Sequence, residues 1–165
     1  VKVNEWKLRE DEVIEMTLTR GKVALIDKAD LAAVITRRWH AHFDGAYWSV
    51  ASHAHPTLYL HRLLLDAPED RYVDHINGDG LDNRRVNIRL ATNGQNQWNS
   101  RKRLGTTSHY KGVHFRKDRD CWYARIKYRQ RSYHIGSFES EQDAARAYNA
   151  KAVELFGEFA RLNEV

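Results

Sequence analysis

Asp74 and His75 are adjacent, Asn87 follows His75 by twelve residues, and Asn96 follows Asn87 by nine. The carboxylate of Asp74 and the amide oxygen of Asn96 are hard donors, suited to a cation such as Mg²⁺. Two protein oxygens leave several coordination positions for water and phosphate. In that setting a metal stabilises charge on a phosphate and its leaving oxygen during phosphodiester hydrolysis. An imidazole beside it, neutral near pH 7, can take a proton from the attacking water, and His75 is placed for that task. Neighbours on a regular pleat point to opposite faces. Asp74 and His75 therefore share a site only if the strand end is distorted, or if metal and substrate lie across the strand tip. Spacing alone leaves two readings open, a catalytic centre and an ordinary Asn-rich turn.

The elements that would hold these residues can be read from the pattern around them. Residues 71–76 form a short strand, and Asn77-Gly78-Asp79-Gly80 is dense in turn formers. A second extended run falls at residues 86–90. Thr92, with Gln95 three residues on, makes a capping box that starts a helix through Asn99. The order is strand, loop, strand, helix. Upstream, residues 13–18 and 22–26 read as strands, and Asp30 caps a short helix through Arg38 with Leu31, Val34 and Ile35 at helical spacing. Residues 47–50 and 57–60 read as further strands, and 61–65 as a short buried element. His40 with His42, and His53 with His55, each place two rings on one side of an extended segment, a pattern open to a transition metal or to packing. His61 reads as a packed or hydrogen-bonding histidine that could help hold a phosphate. Residues 1–60 read as scaffold, with Lys22, Arg37 and Arg38 as candidate DNA contacts.

Residues 100–109 are polar and read as a linker. Beyond it, Val113 and Phe115 alternate with His114 and Arg116. Trp122, Ala124, Ile126 and Tyr128 then share one face of a strand, with Tyr123, Arg125 and Lys127 on the other, and Tyr133 and Ile135 alternate with His134. Ser140 and Asp143 cap a helix with Ala145, Tyr148, Ala152 and Leu155 on one stripe. The expected product is a three-stranded antiparallel sheet with a helix on its apolar face and a basic, aromatic face left open. Charge agrees. Residues 101–135 carry eleven Lys/Arg against two Asp, while residues 1–100 and 136–165 are both slightly acidic. A concentrated basic block with aromatics among the charges is the footprint of nucleic-acid binding. A single cysteine, Cys121, excludes an intramolecular disulfide and a thiolate zinc cluster within one chain. No apolar run approaches the ~20 residues that span a bilayer, and no leader is expected. A cytoplasmic setting without membrane association follows.

Val73-Asp74-His75-Ile76-Asn77-Gly78-Asp79, Leu81-Asp82-Asn83-Arg84-Arg85, Asn87-Ile88-Arg89 and Gln95-Asn96-Gln97 together resemble the HNH homing-endonuclease signature. The branch is similar to that found in phages and introns, where Asn replaces the final His. The flanking runs Leu18-Thr19-Arg20-Gly21-Lys22, Leu25-Ile26-Asp27 and Tyr59-Leu60-His61-Arg62-Leu63 are similar to segments that accompany it. The resemblance implies His75 as general base, Asp74 and Asn96 as metal ligands, and Asn87 as the residue that ties the hairpin loop and orients His75. It implies one divalent ion, with 5′-phosphate and 3′-hydroxyl products. Asn96 in place of His favours Mg²⁺, with Mn²⁺ second, over Zn²⁺. Arg84, Arg85 and Arg89 flank this site and are expected to contact the DNA backbone.

Tyr110-Lys111-Gly112-Val113, Trp122-Tyr123-Ala124-Arg125-Ile126, Ile135-Gly136-Ser137-Phe138, Ala144-Ala145-Arg146-Ala147-Tyr148 and Leu162-Asn163 resemble an Apetala/ethylene-response-type DNA-binding domain. That family lays its exposed sheet in the major groove. The matching positions here are Lys111, Gly112, His114, Arg116, Arg125, Lys127 and His134. Arg125 and His134 stand where plant members have Glu and Trp, so their target sequence does not carry over. The expected fold is α+β: residues 1–100 a mixed domain with a ββα-metal core at about 71–100, residues 101–108 a linker, and residues 109–165 the small sheet with one helix. The expected function is metal-dependent cutting of double-stranded DNA by a mobile-element endonuclease, acting as a monomer more readily than a dimer. The alternative is a non-catalytic regulatory DNA-binding protein that keeps the hairpin as a structural remnant.

Overall fold

The structure, a computed structural model, describes residues 4–102 and 105–165. Residues 1–3, at the start of the expected N-terminal domain, and 103–104, inside the expected linker, lie outside the described residues. The chain is α+β and divides into two compact units, Val1–Asn96 and Gln97–Val165.

The first unit opens with an antiparallel three-stranded sheet of β1 (Trp6–Leu8), β2 (Val13–Thr17) and β3 (Val23–Asp27). Ile14 and Met16 on β2, with Ala24 and Ile26 on β3, are buried in one core. After a 3₁₀ turn and the one-turn helix α1 (Leu31–Val34), the hairpin β4 (Trp39–Phe43) and β5 (Trp48–Ser52) adds Trp39, Ala41 and Val50 to it. Then come α2 (Leu60–Leu64), the hairpin β6 (Tyr72–His75) and β7 (Ile88–Ala91), and α3 (Asn93–Trp98), which crosses the boundary between the units.

Three upstream expectations are corrected. The helix from Asp30 stops at Val34, because the buried Trp39 indole donates to the Val34 carbonyl and the chain turns there into β4. Asp30 makes no capping bond; its buried carboxylate is held by Arg85 instead. Residues 57–60 form only an isolated bridge, Tyr59 to Ala51, before α2 begins. Leu60 and Leu64, both buried at i, i+4, fix that segment as helix despite its β-prone residues. The strands β1 and β4 carry no clear signal in the sequence, and β4 alternates His and Ala, which have little strand preference.

The second unit contains the antiparallel sheet of β8 (Val113–Arg116), β9 (Cys121–Tyr128) and β10 (Arg131–Phe138), with β9 central. Val113, Ala124 and Ile126 face α4 (Glu141–Phe156), whose buried stripe is Ala144, Ala145, Tyr148, Ala152 and Phe156. The small alanines bring the helix close to the strands. Ser140 caps α4, accepting from the Asp143 N–H at 3.0 Å. The alternation expected in β10 is interrupted by a bulge between His134 and Gly136, so Tyr133 pairs with Ile126 and Gly136 with Ala124. Trp98 stacks on Phe156 with ring centroids 4.7 Å apart, which places the end of α3 in this core.

Gly112 is the tightest point of the unit. Its φ is +76°, and a Cβ there would collide with the Tyr148 ring and crowd the Arg125 carbonyl. Gly112→Ala is therefore expected to destabilise the second unit by roughly 2–4 kcal/mol, the sum of a left-handed backbone cost and overpacking. Chemical denaturation followed at the unit's tryptophans measures the loss.

Candidate active site

The segment between β6 and β7 has few apolar side chains, and polar contacts hold its shape. Asp82, Asn83 and Asn87 are all buried, Asn83 completely. A buried polar group must find partners or cost about 1–3 kcal/mol, and here each finds them. The Asn87 amide oxygen accepts from the Asn77 N–H at 3.0 Å, and its Nδ2 donates to the Asp82 carbonyl at 2.7 Å. One side chain thus ties both ends of the turn. Asp82 accepts from Asn77 Nδ2 at 3.0 Å and, along one edge of the Arg84 guanidinium, from Nε and Nη2. The Asn83 amide donates to the Leu81 carbonyl at 3.0 Å, and its oxygen faces His75.

This turn is docked on the first sheet. Leu25 N–H donates to the Leu81 carbonyl and Asn83 N–H to the Leu25 carbonyl, a parallel bridge on the edge of β3. Gly80 lies against the β4–β5 hairpin, where a Cβ would strike the Trp48 carbonyl. Arg85 completes the attachment: its N–H donates to Asp27 at 2.7 Å and its guanidinium to Asp30.

Asp74 and His75 end β6 beside this assembly. Asp74 is buried, and its Oδ2 is 2.9 Å from both Nε and Nη2 of Arg89, its cross-strand partner. His75 Nε2 lies 3.5 Å from Asn83 Oδ1, a long contact. Burial lowers the His75 pKa more than the Asn83 contact and the nearby Asp74, Asp79 and Asp82 charges raise it, so the ring is neutral at pH 7. Asn87 reaches His75 through the backbone, since its carbonyl accepts from the Ile76 N–H at 2.8 Å. Asn96 sits one turn into α3. The Thr92–Gln95 capping box that starts this helix is formed in both directions, at 2.8 and 3.2 Å.

His61 on α2 lies edge-to-face with His75, ring centroids 5.1 Å apart, and stacks on Tyr59 at 5.6 Å. Burial drives its pKa down to about 3, with the His75 and Arg62 charges adding to the shift, and its Nδ1 is a buried atom with no hydrogen-bond partner among the described residues. The sequence reads His61 as a packed or hydrogen-bonding ring; its partnership with His75 is visible only in the tertiary contact. Asn83 is a site residue that sequence reasoning does not single out, although its place in the Leu81-to-Arg85 run is visible. His40 stacks on His53 at 4.3 Å and meets His42 edge-on. Among the described residues no group of three or more His, Cys, Asp or Glu could hold a metal ion.

The arginines expected to contact DNA are engaged inside the fold: Arg84 with Asp82, Arg85 with Asp30, Arg89 with Asp74. Hairpin pairing and docking place Arg89 and Arg85 near carboxylates that sequence order does not reveal. In the second unit, Arg125, Lys127 and His134 are exposed on one sheet face, His134 directly opposite Arg125. His114 stacks on Tyr123 on that same face, with ring centroids 5.3 Å apart. Arg116 pairs with Asp118. Lys111 and Gly112 depart from this face: Lys111 Nζ donates to the Trp98 and Ser100 carbonyls, and Gly112 serves the backbone turn under Tyr148.

Residues 66–98 match a family model described as HNH endonuclease. The chain is 35% identical over 161 residues to an uncharacterized HNH endonuclease of Acanthamoeba polyphaga mimivirus, covering 94% of this chain and 83% of that one. It is 32% identical over 94 residues to Protein 3.8 of Escherichia phage T7, covering 57% and 77%. No solved structure matches the chain significantly. Among the described residues, no helix is long and apolar enough to cross a membrane.

The buried His61 generates a pH prediction. Its folded pKa lies below the ordinary value, so the unfolded chain binds the extra proton first as pH falls. The stability it allows is complete above pH ~6.5 and is lost progressively toward pH ~3, each tenfold difference in proton affinity corresponding to about 1.4 kcal/mol. His61→Phe, which keeps a ring in place, is expected to move the acid-unfolding midpoint to lower pH, and an acid titration followed by circular dichroism reads the change. An unmoved midpoint would show that His61 does not contribute to acid lability.

Proposed function

The chain belongs to the HNH endonuclease family, and on that premise we propose that it cuts double-stranded DNA by metal-dependent phosphodiester hydrolysis, with His75 as general base. One observation carries the reading. A buried carboxylate, Asp74, and a neutral imidazole, His75, end one strand beside a polar turn that is rigidly tied by Asn87.

The donor set fits a hard divalent ion. Asp74 and Asn96 offer oxygen only, with no thiolate, and the histidines elsewhere in the unit form no metal cluster among the described residues. Mg²⁺ is the first choice and Mn²⁺ the second. Bound there, the ion would polarise the scissile phosphate and stabilise charge on the leaving oxygen. His75, held beside Asn83, accepts the proton of the attacking water. Asn83 and Asn87 act as positioning residues, one through the imidazole and one through the loop. Arg89 gives up part of its hold on Asp74 and turns to a phosphate oxygen, while Arg84 and Arg85 keep the turn docked and meet the backbone with their outer edges.

The open face of the second unit, with His114, Arg125, Lys127 and His134, supplies position on the duplex as an Apetala/ethylene-response-type domain would. A single site in a monomer nicks one strand, and the activity is that of a homing or mobile-element endonuclease working in the cytoplasm.

A second reading has one observation in its favour. Arg89 already neutralises Asp74, as in a hairpin kept only for structure within a regulatory DNA-binding protein. Supercoiled plasmid separates the two. We expect relaxed or linear product in Mg²⁺ and none in EDTA. His75→Ala is expected to lower the rate at least ~10²-fold, the scale of a lost general base, with duplex affinity nearly unchanged. Metal-dependent cutting retained by that variant would remove His75 from the role of base.

A further inference from the structure

Two imidazoles stand at the candidate site, and the proposed chemistry uses only one of them. His61, on α2, meets the His75 ring edge-to-face, with centroids 5.1 Å apart and ring planes at 90°. It also stacks on Tyr59, 5.6 Å away and 15° from parallel.

Both ends of α2 are fixed. Leu60 and Leu64 bury the helix in the core of the first unit. At its entry Tyr59 is bridged to Ala51, and the Ser52 N–H donates to the Leu58 carbonyl at 2.9 Å. At its exit the Arg62 guanidinium binds three carbonyls, Arg71 at 2.8 Å from Nη1, and Ala67 and Pro68 at 3.0 and 2.8 Å from Nη2. The segment that joins α2 to β6 is thereby pinned, and with it the spacing of the two rings.

Packing alone does not account for an imidazole at this position. His61 Nδ1 is buried with no hydrogen-bond partner among the described residues. An apolar ring of similar shape would avoid that cost. The buried polar side chains of the adjoining turn, Asp82, Asn83 and Asn87, all have partners, so the exception stands directly against the general base. A neutral imidazole carries one N–H and one lone pair. Burial first, then the His75 and Arg62 charges, lower the His61 pKa to about 3. The ring therefore has no acidic proton to release near pH 7, but it keeps a hydrogen bond to give. An attacking water in contact with His75 lies ~3 Å from the nitrogen that takes its proton, with the phosphate just beyond. A ring 5.1 Å from His75 borders that space.

We propose that His61 is a second catalytic imidazole, donating a neutral hydrogen bond from Nε2 to a non-bridging oxygen of the scissile phosphodiester. With Nδ1 enclosed, Nε2 is the nitrogen left for a ligand. The bond strengthens as charge builds on that oxygen, so it acts on the rate more than on binding. This inference rests on the endonuclease reading with His75 as base.

The test compares the full chain with His61→Phe, which keeps a ring and removes both nitrogens, and His61→Gln, which returns a neutral N–H. Folding is checked by thermal melting, and single-turnover rates are measured in Mg²⁺ on a duplex that the wild type cuts. His61→Phe is expected to lower the rate ~10²-fold with duplex affinity held within about twofold. His61→Gln is expected to recover at least about fivefold of that loss. The same duplex is then made with sulfur replacing each non-bridging oxygen of the scissile phosphate in turn. On one of these two substrates the loss caused by His61→Phe is expected to shrink, because the contact is already weakened there. Equal losses in both variants and on all three substrates would assign His61 to packing and overturn the contact. A folded His61→Phe variant that cuts at the wild-type rate overturns it as well. If His61→Phe melts early, His61→Gln carries the sulfur comparison with the same expectation. In each of these cases wild-type cutting leaves the endonuclease reading standing. A wild type that cuts no duplex in Mg²⁺ overturns that reading, and this inference with it.

Discussion

The candidate site depends on the requirement that buried polar groups be satisfied. The turn between β6 and β7 cannot be held by hydrophobic packing, because its apolar side chains are few. Its form is set by Asp82, Asn83 and Asn87, each taken out of water and each supplied with partners. A turn held in this way has one low-energy arrangement, since any rearrangement leaves several groups unpaired together. That rigidity fixes Asn83, whose side-chain oxygen lies 3.5 Å from His75 Nε2.

Electrostatic pairing extends the same constraint to the scaffold. Asp27 and Asp30 reach from the first sheet and its following 3₁₀ turn to Arg85, while Leu25 bridges to the turn through the backbone. The N-terminal strands are therefore the template on which the turn is ordered, and not a passive lead. Arg85 is more than half exposed, so its pair with Asp30 contributes less than the buried Arg89–Asp74 pair, where breaking one partner strands a charge.

The second unit uses backbone geometry for similar ends. Gly112 allows β8 to approach Tyr148; in β10 His134 pairs with Arg125, and the bulge at Ile135 shifts the register beyond it so that Gly136 pairs with Ala124. Its cationic residues divide between two tasks. Arg125 and Lys127 stand open on the sheet, whereas Lys111 is drawn inward to cap the end of α3 and line a cleft.

Local pattern carries much of this in the sequence alone. Alternation in residues 113–128 sets the two faces of the C-terminal sheet, Ser140 and Thr92 mark helix starts, and the run from Val73 to Asn96 displays the order of strand, turn, strand and helix. These signals are readable because they depend on neighbours within a few residues. What the sequence does not determine involves partners far apart in the chain. Asp30 reads as a helix cap and is the counter-ion of Arg85; three arginines read as phosphate contacts and are engaged with carboxylates; His61 reads as packing and lies against His75. A charged or aromatic side chain has the same identity in each of these roles. Only the tertiary structure, by bringing a distant partner within a few ångströms and excluding water from the contact, decides which role it plays.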